Sequence, residues 1–235
     1  MLIDCVIGKR GMLIAHRGAV ANSGLRENTL EAFARAMRNA KCDGIEFDLR
    51  LTSDDEIVIH HDRRLKDGRC IDKTTYKELP AYIPTLAQVL DLCTSMGYRG
   101  MLNLELKEYN LYDRTTEILR HRYIEWGLVP SQLLITSFLH AEIIQTDSTG
   151  HACGWIMECF PVCVIEQLIV HNDYIVLKDE FVPWHLEQVR ELLLRNASRT
   201  FLFTVNDIQR VDELRDKGFN VISDQLPFNA DASFV

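Results

Sequence analysis

Short apolar strands alternate with helix-patterned segments from about residue 12 onward, and the alternation never pauses. Residues 12–15, the segment opening at Gly44, and residues 101–107, 133–137, 152–157, 174–178, 200–205 and 220–223 read as strands. Between them apolar residues fall at helical spacing, as in Leu30, Phe33, Ala34 and Met37, or Leu86, Val89, Leu90 and Cys93. Further helices are expected over 112–127, 140–147, 162–170 and 208–217, with another opened near Pro183. Asn28 or Thr29, Thr85 and Asn206 stand where helices begin and can cap them, and Gly218 closes the last. About eight strand–helix units imply a single (β/α)8 TIM barrel, residues 1–235 forming one domain with no linker-like tract. Residues 63–84 depart from the beat. They are charged and punctuated by Gly and Pro, and one helical turn is expected there.

The chemistry concentrates in the stretch 44–62. Ile45, Phe47 and Leu49 fall on one side of a strand, Glu46 and Asp48 on the other. Two carboxylates on one face of a buried strand repel, and desolvating them is costly unless a cation or proton lies between them. A hard divalent cation held by carboxylate oxygens meets that need. The same stretch ends Val58-Ile59-His60-His61-Asp62, which delivers an imidazole beside the acids. The pattern recurs at 101–107, where Leu102, Leu104 and Leu106 oppose Asn103, Glu105 and Lys107.

Barrels of this class carry their reactive groups at the C-terminal ends of the strands. Here those ends read His16-Arg17, Glu46/Asp48, Glu105/Lys107, Ser137, Glu158, Lys178, Thr204/Asn206 and Asp224. Glu46, Asp48 and Glu105 would supply oxygen ligands for one divalent cation, Mg²⁺ or Ca²⁺. His16 and His61 would flank it as a proton-transfer pair near neutral pH. Arg17 and Lys107 offer positive charge for a phosphate, one as a planar fork and one as a point charge. Together these groups suit phosphoryl transfer from an ester. Glu27 either stabilises a helix N-terminus or joins the site, and Phe203 is a candidate apolar wall beside the substrate.

The net charge of −8 disfavours nucleic acid or an anionic membrane as partner, and no apolar run approaches bilayer-spanning length. Seven cysteines, with no Cys-x-x-Cys and no zinc spacing, read as thiols kept reduced. No signal-peptide pattern opens the sequence, so a cytoplasmic location is expected.

The motif series is also specific. His16-Arg17-Gly18, Glu27-Asn28-Thr29, Glu46-x-Asp48 with Leu51-Thr52-x-Asp54, His61-Asp62, Ile83-Pro-Thr-Leu86 and Glu105-x-Lys107 resemble the glycerophosphodiester phosphodiesterase family. Ser137-Phe138, Thr204-Val-Asn206 and Ile222-Ser-Asp224-x-x-Pro227 resemble its later motifs. The resemblance implies a barrel that hydrolyses small glycerophosphodiesters to glycerol 3-phosphate and an alcohol. It places metal ligands at Glu46, Asp48 and Glu105, the catalytic pair at His16 and His61, and phosphate contacts at Arg17 and Lys107. It also implies attack by the substrate's own glycerol 2-hydroxyl, giving a cyclic phosphate that water opens; an intramolecular nucleophile lowers the entropic cost of attack. Arg26 stands where the family has Pro, Phe203 where it has Trp, and the insertion after His61-Asp62 is shortened.

Two other readings remain at this point. One is a non-catalytic barrel that binds a phosphodiester or a protein. The other is an aldolase-like barrel using Lys178 as a Schiff-base amine.

Overall fold

The computed structural model describes residues 10–126, 129–144, 151–161, 165–171 and 174–227. In chain order, β1 (Leu13–His16) leads to α1 (Leu30–Met37), β2 (Gly44–Leu51), the short β3 (Ile57–Ile59) and α2 (Leu86–Ser95). Then follow β4 (Met101–Leu106), α3 (Leu111–Trp126), β5 (Leu133–Ser137), α4 (His140–Ile143) and β6 (Ala152–Met157). The chain continues through α5 (Ile165–His171), β7 (Tyr174–Lys178), α6 (Glu187–Arg195), β8 (Thr200–Phe203), α7 (Ile208–Asp216) and β9 (Asn220–Ser223). The sheet order is β1-β9-β8-β7-β6-β5-β4-β2, and pairing of β1 with β2 closes it into the expected eight-stranded parallel barrel. Strand β3 lies outside that ring, antiparallel to the end of β2.

The period-two pattern of the strands sorts their side chains between two cores. Outward-facing Leu13, Ile45, Phe47, Leu102, Leu104 and Val221 pack with Phe33 of α1, Val89 and Leu90 of α2 and Leu214 of α7. Burying each such side chain contributes roughly 1.5–3 kcal/mol relative to leaving it exposed. Ile14, Leu134, Ile156, Val176, Phe201 and Ile222 point inward and fill the barrel. That inner core draws on β1, β5, β6, β7, β8 and β9, whereas β2 and β4 send Glu46, Asp48, Asn103 and Glu105 inward instead. The polar sector of the barrel is therefore written into two strands.

Thr29 caps α1 through its side chain, and Thr85 with Gln88 forms a capping box on α2. The cap of α7 is Asp207, whose carboxylate accepts from Arg210 N, and not Asn206 as the sequence suggested. Asn206 is drawn away because its side chain bonds the end of β9: Asp224 N and Ser223 Oγ donate to its Oδ1, and its Nδ2 donates to Asp224. The segment 63–84 contains two 3-10 turns, Ile71–Lys73 and Tyr76–Glu78, where one helical turn was expected. They wrap a separate small core of Val58, Leu65, Ile71, Leu79 and Ile83. The helix read over 140–147 is described only as α4, and residues 145–150 lie outside the described residues, as do 162–164 ahead of α5. Among the described residues Cys42, Cys70, Cys93, Cys153 and Cys159 are free thiols. No described helix is long and apolar enough to cross a membrane.

Candidate active site

Strand register brings the predicted acids together. Pairing of β1 with β2 sets His16 beside Glu46, and pairing of β2 with β4 sets Asp48 beside Glu105. Glu46, Asp48 and Glu105 are all buried, and each offers an oxygen within 4.8 Å of those of the other two. Two cations face them. The Lys107 ammonium bonds Glu105 and lies 3.0 Å from Asp48 Oδ1, and Arg17 Nε lies 3.2 Å from Asp48 Oδ2. Neither contact to Asp48 is aligned as a hydrogen bond, since Asp48 Oδ1 and Arg17 Nε remain without such a partner. Glu46 Oε1 is likewise buried and unbonded.

Two residues with left-handed backbones shape this pocket. Arg17 (φ 49°) turns the chain at the end of β1 so that its N–H donates to Glu46 Oε2 at 3.0 Å. Asn28 (φ 57°) donates from Nδ2 to Asp48 Oδ2 at 2.7 Å, and its N–H bonds the Arg17 carbonyl. Left-handed conformations are uncommon outside glycine and persist where the surroundings enforce them, frequently at functional sites. Gly18 follows at φ 90°, and a Cβ there would meet that of Ala32 at 2.6 Å, so the turn sits directly against α1.

The imidazoles stand on either side of the acids in different surroundings. His16 Nδ1 is 2.6 Å from Asp224 Oδ1, and its Nε2 lies 3.9 Å from Glu46 Oε2. Burial disfavours its charged form, but the Asp224 bond and the Glu46 charge outweigh that and raise its pKa. His61 Nδ1 bonds Asp62 at 2.8 Å. Burial, reinforced by the Lys107 and Arg17 charges, lowers the His61 pKa against the pull of Asp48 and Asp62. Arg50, on β2, donates through Nε (2.8 Å) and Nη2 (2.6 Å) to the His61 carbonyl and so braces the segment that carries the ring.

Burial, together with the Asp48 and Glu105 charges, pushes Glu46 up to about 8. Glu105 is raised by burial and the Asp48 charge, against the opposing pull of Lys107 and His16. Asp48 resists its own burial and is lowered, because Lys107 and Arg17 both face it. Were all three acids ionised, they would carry one negative charge more than the two cations facing them, which is the load a proton on Glu46 or a bound cation relieves. The donor set is all carboxylate oxygen, and two of those oxygens lack hydrogen bonds, so the residues fit a hard divalent cation.

These groups line a cleft at the C-terminal end of the barrel with a volume of about 150 Å³. His16, Arg17, Glu46, His61, Glu105 and Lys107 line it directly, while Asp48 forms the layer behind. Phe203 lines it as well and meets Phe138 edge to face, centroids 6.1 Å apart. Glu27 is exposed, is not among the lining residues, and accepts from Arg17 Nη1 at 3.1 Å. The Lys178 ammonium is also not among the lining residues; it lies 3.8 Å from Glu180 and over the Phe181 ring. Sequence reasoning assigned no site role to Asn28, Arg50 or Asp224. Asp224 stood at a strand end, and Arg50 shares the parity of Glu46 and Asp48, so both carried a faint signal.

Residues 16–148 match the profile of the Glycerophosphoryl diester phosphodiesterase family. The chain belongs to that family. A glycerophosphodiester phosphodiesterase of Bacillus altitudinis is 30% identical over 154 residues, which is 56% of this chain and 59% of that relative's length. The crystal structure of a glycerophosphodiester phosphodiesterase from Thermotoga maritima superposes with a TM-score of 0.76 at 26% identity, covering 93% of this chain and 96% of that one. A phosphodiesterase of Oleispira antarctica, solved in complex with the product sn-glycerol-3-phosphate, superposes with a TM-score of 0.73 at 26% identity, covering 92% and 93%. Arg26 and Phe203, read from the sequence as departures from the glycerophosphoryl diester phosphodiesterase motifs, each make a contact of their own. Arg26 lays its guanidinium 3.7 Å over the Tyr82 ring, tying the loop before Glu27-Asn28 to the 63–84 segment. Phe203 uses its smaller ring to pack on Phe138.

Proposed function

We propose that this chain hydrolyses glycerophosphodiesters to glycerol 3-phosphate and an alcohol, using a divalent cation and the His16/His61 pair. One observation carries the reading: three buried carboxylates converge beside two imidazoles whose proton affinities are pushed in opposite directions. Separation of that kind assigns an acid and a base. His61, held low, is the acceptor for the proton of the attacking glycerol 2-hydroxyl. His16, held high, is the donor to the leaving alcohol oxygen. Opening of the resulting cyclic phosphate by water then runs the two roles in reverse. Asp224 fixes the His16 tautomer, so that Nε2 is the nitrogen turned toward the acids.

Glu46, Asp48 and Glu105 would hold the cation, Mg²⁺ or Ca²⁺. When bound, it neutralises their charge and draws electron density from the phosphate oxygens. Arg17 and Lys107 border the same pocket, where a phosphodiester anion would meet both. The Schiff-base alternative is disfavoured, because the Lys178 amine is paired with Glu180 and is not among the residues lining the cleft. A purely binding barrel leaves the opposed imidazoles without a use.

The test is release of glycerol 3-phosphate from a panel of glycerophosphodiesters, with the protein stripped by chelator and then refilled with Mg²⁺ or Ca²⁺. Activity should vanish on stripping and return on refilling. Turnover indifferent to chelation would remove the cation from the mechanism, and no turnover with any substrate would remove the reaction.

A further inference from the structure

The cleft has two unlike halves. On the β2 and β4 side lie the acids, the cations and His61. Away from β2 and β4, Ile156, Val176 and Ile222 give the cleft an apolar lining, and the Phe138 and Phe203 rings, which also line it, meet at 80°. One charged side chain lines that half: Glu158, the residue after β6, which is exposed and has no ion-pair partner among the described residues. In the ring of eight strands β6 lies four positions from β1 in either direction, so Glu158 stands across the barrel from His16. Phe138 is 40% exposed and its ring is 5.7 Å from the Lys107 ammonium, which places it at the boundary between the halves.

We propose that the far half receives the leaving alcohol, and that Glu158 with the Phe138 and Phe203 rings selects alcohols carrying an ammonium group. This rests on the hydrolytic reading above and goes beyond it by naming the alcohol. An ammonium is attracted by the carboxylate and by the negative faces of the rings, and its methyl groups or methylene stem suit the apolar lining. A polyol in the same place would strand hydroxyls against Ile156 and Val176 without partners. An anionic alcohol would face Glu158 directly.

The experiment compares kcat/KM of the full chain, supplied with Mg²⁺ or Ca²⁺, on glycerophosphocholine and glycerophosphoglycerol. The two substrates share the phosphate and the reacting glycerol and differ only in the leaving alcohol. The choline substrate should be preferred, and Glu158→Gln should lower the choline-to-glycerol ratio roughly fivefold, the scale of one exposed charge pair. Phe138→Leu keeps apolar bulk but removes the ring, and should lower the ratio by roughly two- to fivefold. A wild-type ratio near one, or a ratio unmoved by Glu158→Gln while both substrates are turned over, overturns the subsite and leaves the hydrolytic reading standing. Turnover of neither substrate overturns both.

Discussion

Replacing Glu46 by Gln separates what the acidic cluster does to folding from what it does to a cation. The three carboxylates approach within 4.8 Å, and at an effective dielectric of about 20 each fully ionised pair at that distance repels by roughly 3–4 kcal/mol. The protein relieves this by keeping a proton: with its pKa pushed up to about 8, Glu46 is mostly neutral at pH 7. Its ordinary value is 4.5, so the unfolded chain gives up that proton first. Stability contributed at Glu46 is therefore lost as pH rises from about 4.5 to about 8 and is flat above. The full gap corresponds to an upper bound of roughly 5 kcal/mol.

Glu46→Gln mimics the protonated form, and its amide oxygen can still accept from Arg17 N. In chelator, wild type and variant should unfold at similar temperatures at pH 5, and the variant should be the more stable at pH 9. A chain of this length shifts about 2–4 °C per kcal/mol, so the upper bound corresponds to a difference of about 10–20 °C. Cation should narrow that gap. At about a hundred times its dissociation constant it stabilises wild type by about 2.7 kcal/mol, and it should do much less for the variant. Thermal unfolding followed by circular dichroism reads both effects. A variant less stable than wild type at pH 9 in chelator, or one with an undiminished response to cation, would refute this account of the cluster.

Two further substitutions probe the proton-transfer pair. His61→Ala should cut turnover by roughly 10²–10⁴-fold with little change in melting temperature, because the ring is partly exposed; steady-state kinetics with near-normal kcat would reject its role. Asp224→Asn keeps the bond to Asn206 but removes the charge behind His16, so kcat should fall roughly tenfold or more while KM holds. A loss of melting temperature with unchanged kcat would reduce Asp224 to a brace.

Much of the site was legible because its parts are local. The alternation Ile45, Glu46, Phe47, Asp48, Leu49 declares a strand with one acidic face from five adjacent residues, and the segment around Glu105 and Lys107 repeats the message. Thr29 and Thr85 were readable as caps for the same reason. Asn206 misled, because its competing partners sit on β9, some 18 residues further along. Asn28 looked like a cap or a motif letter, and only its left-handed backbone turns its amide onto Asp48.

The order of the units along the chain, and which face of each strand would be polar, followed from side-chain periodicity alone, since periodicity depends only on neighbours in sequence. Closure of the ring and the stagger of its strands were decided elsewhere. Register between β2 and β4 sets Asp48 against Glu105, and the meeting of β1 with β9 brings Asp224 to His16 across 208 residues. Such contacts depend on how eight strands satisfy one another's backbone hydrogen bonds at once, a condition that no local stretch of residues contains.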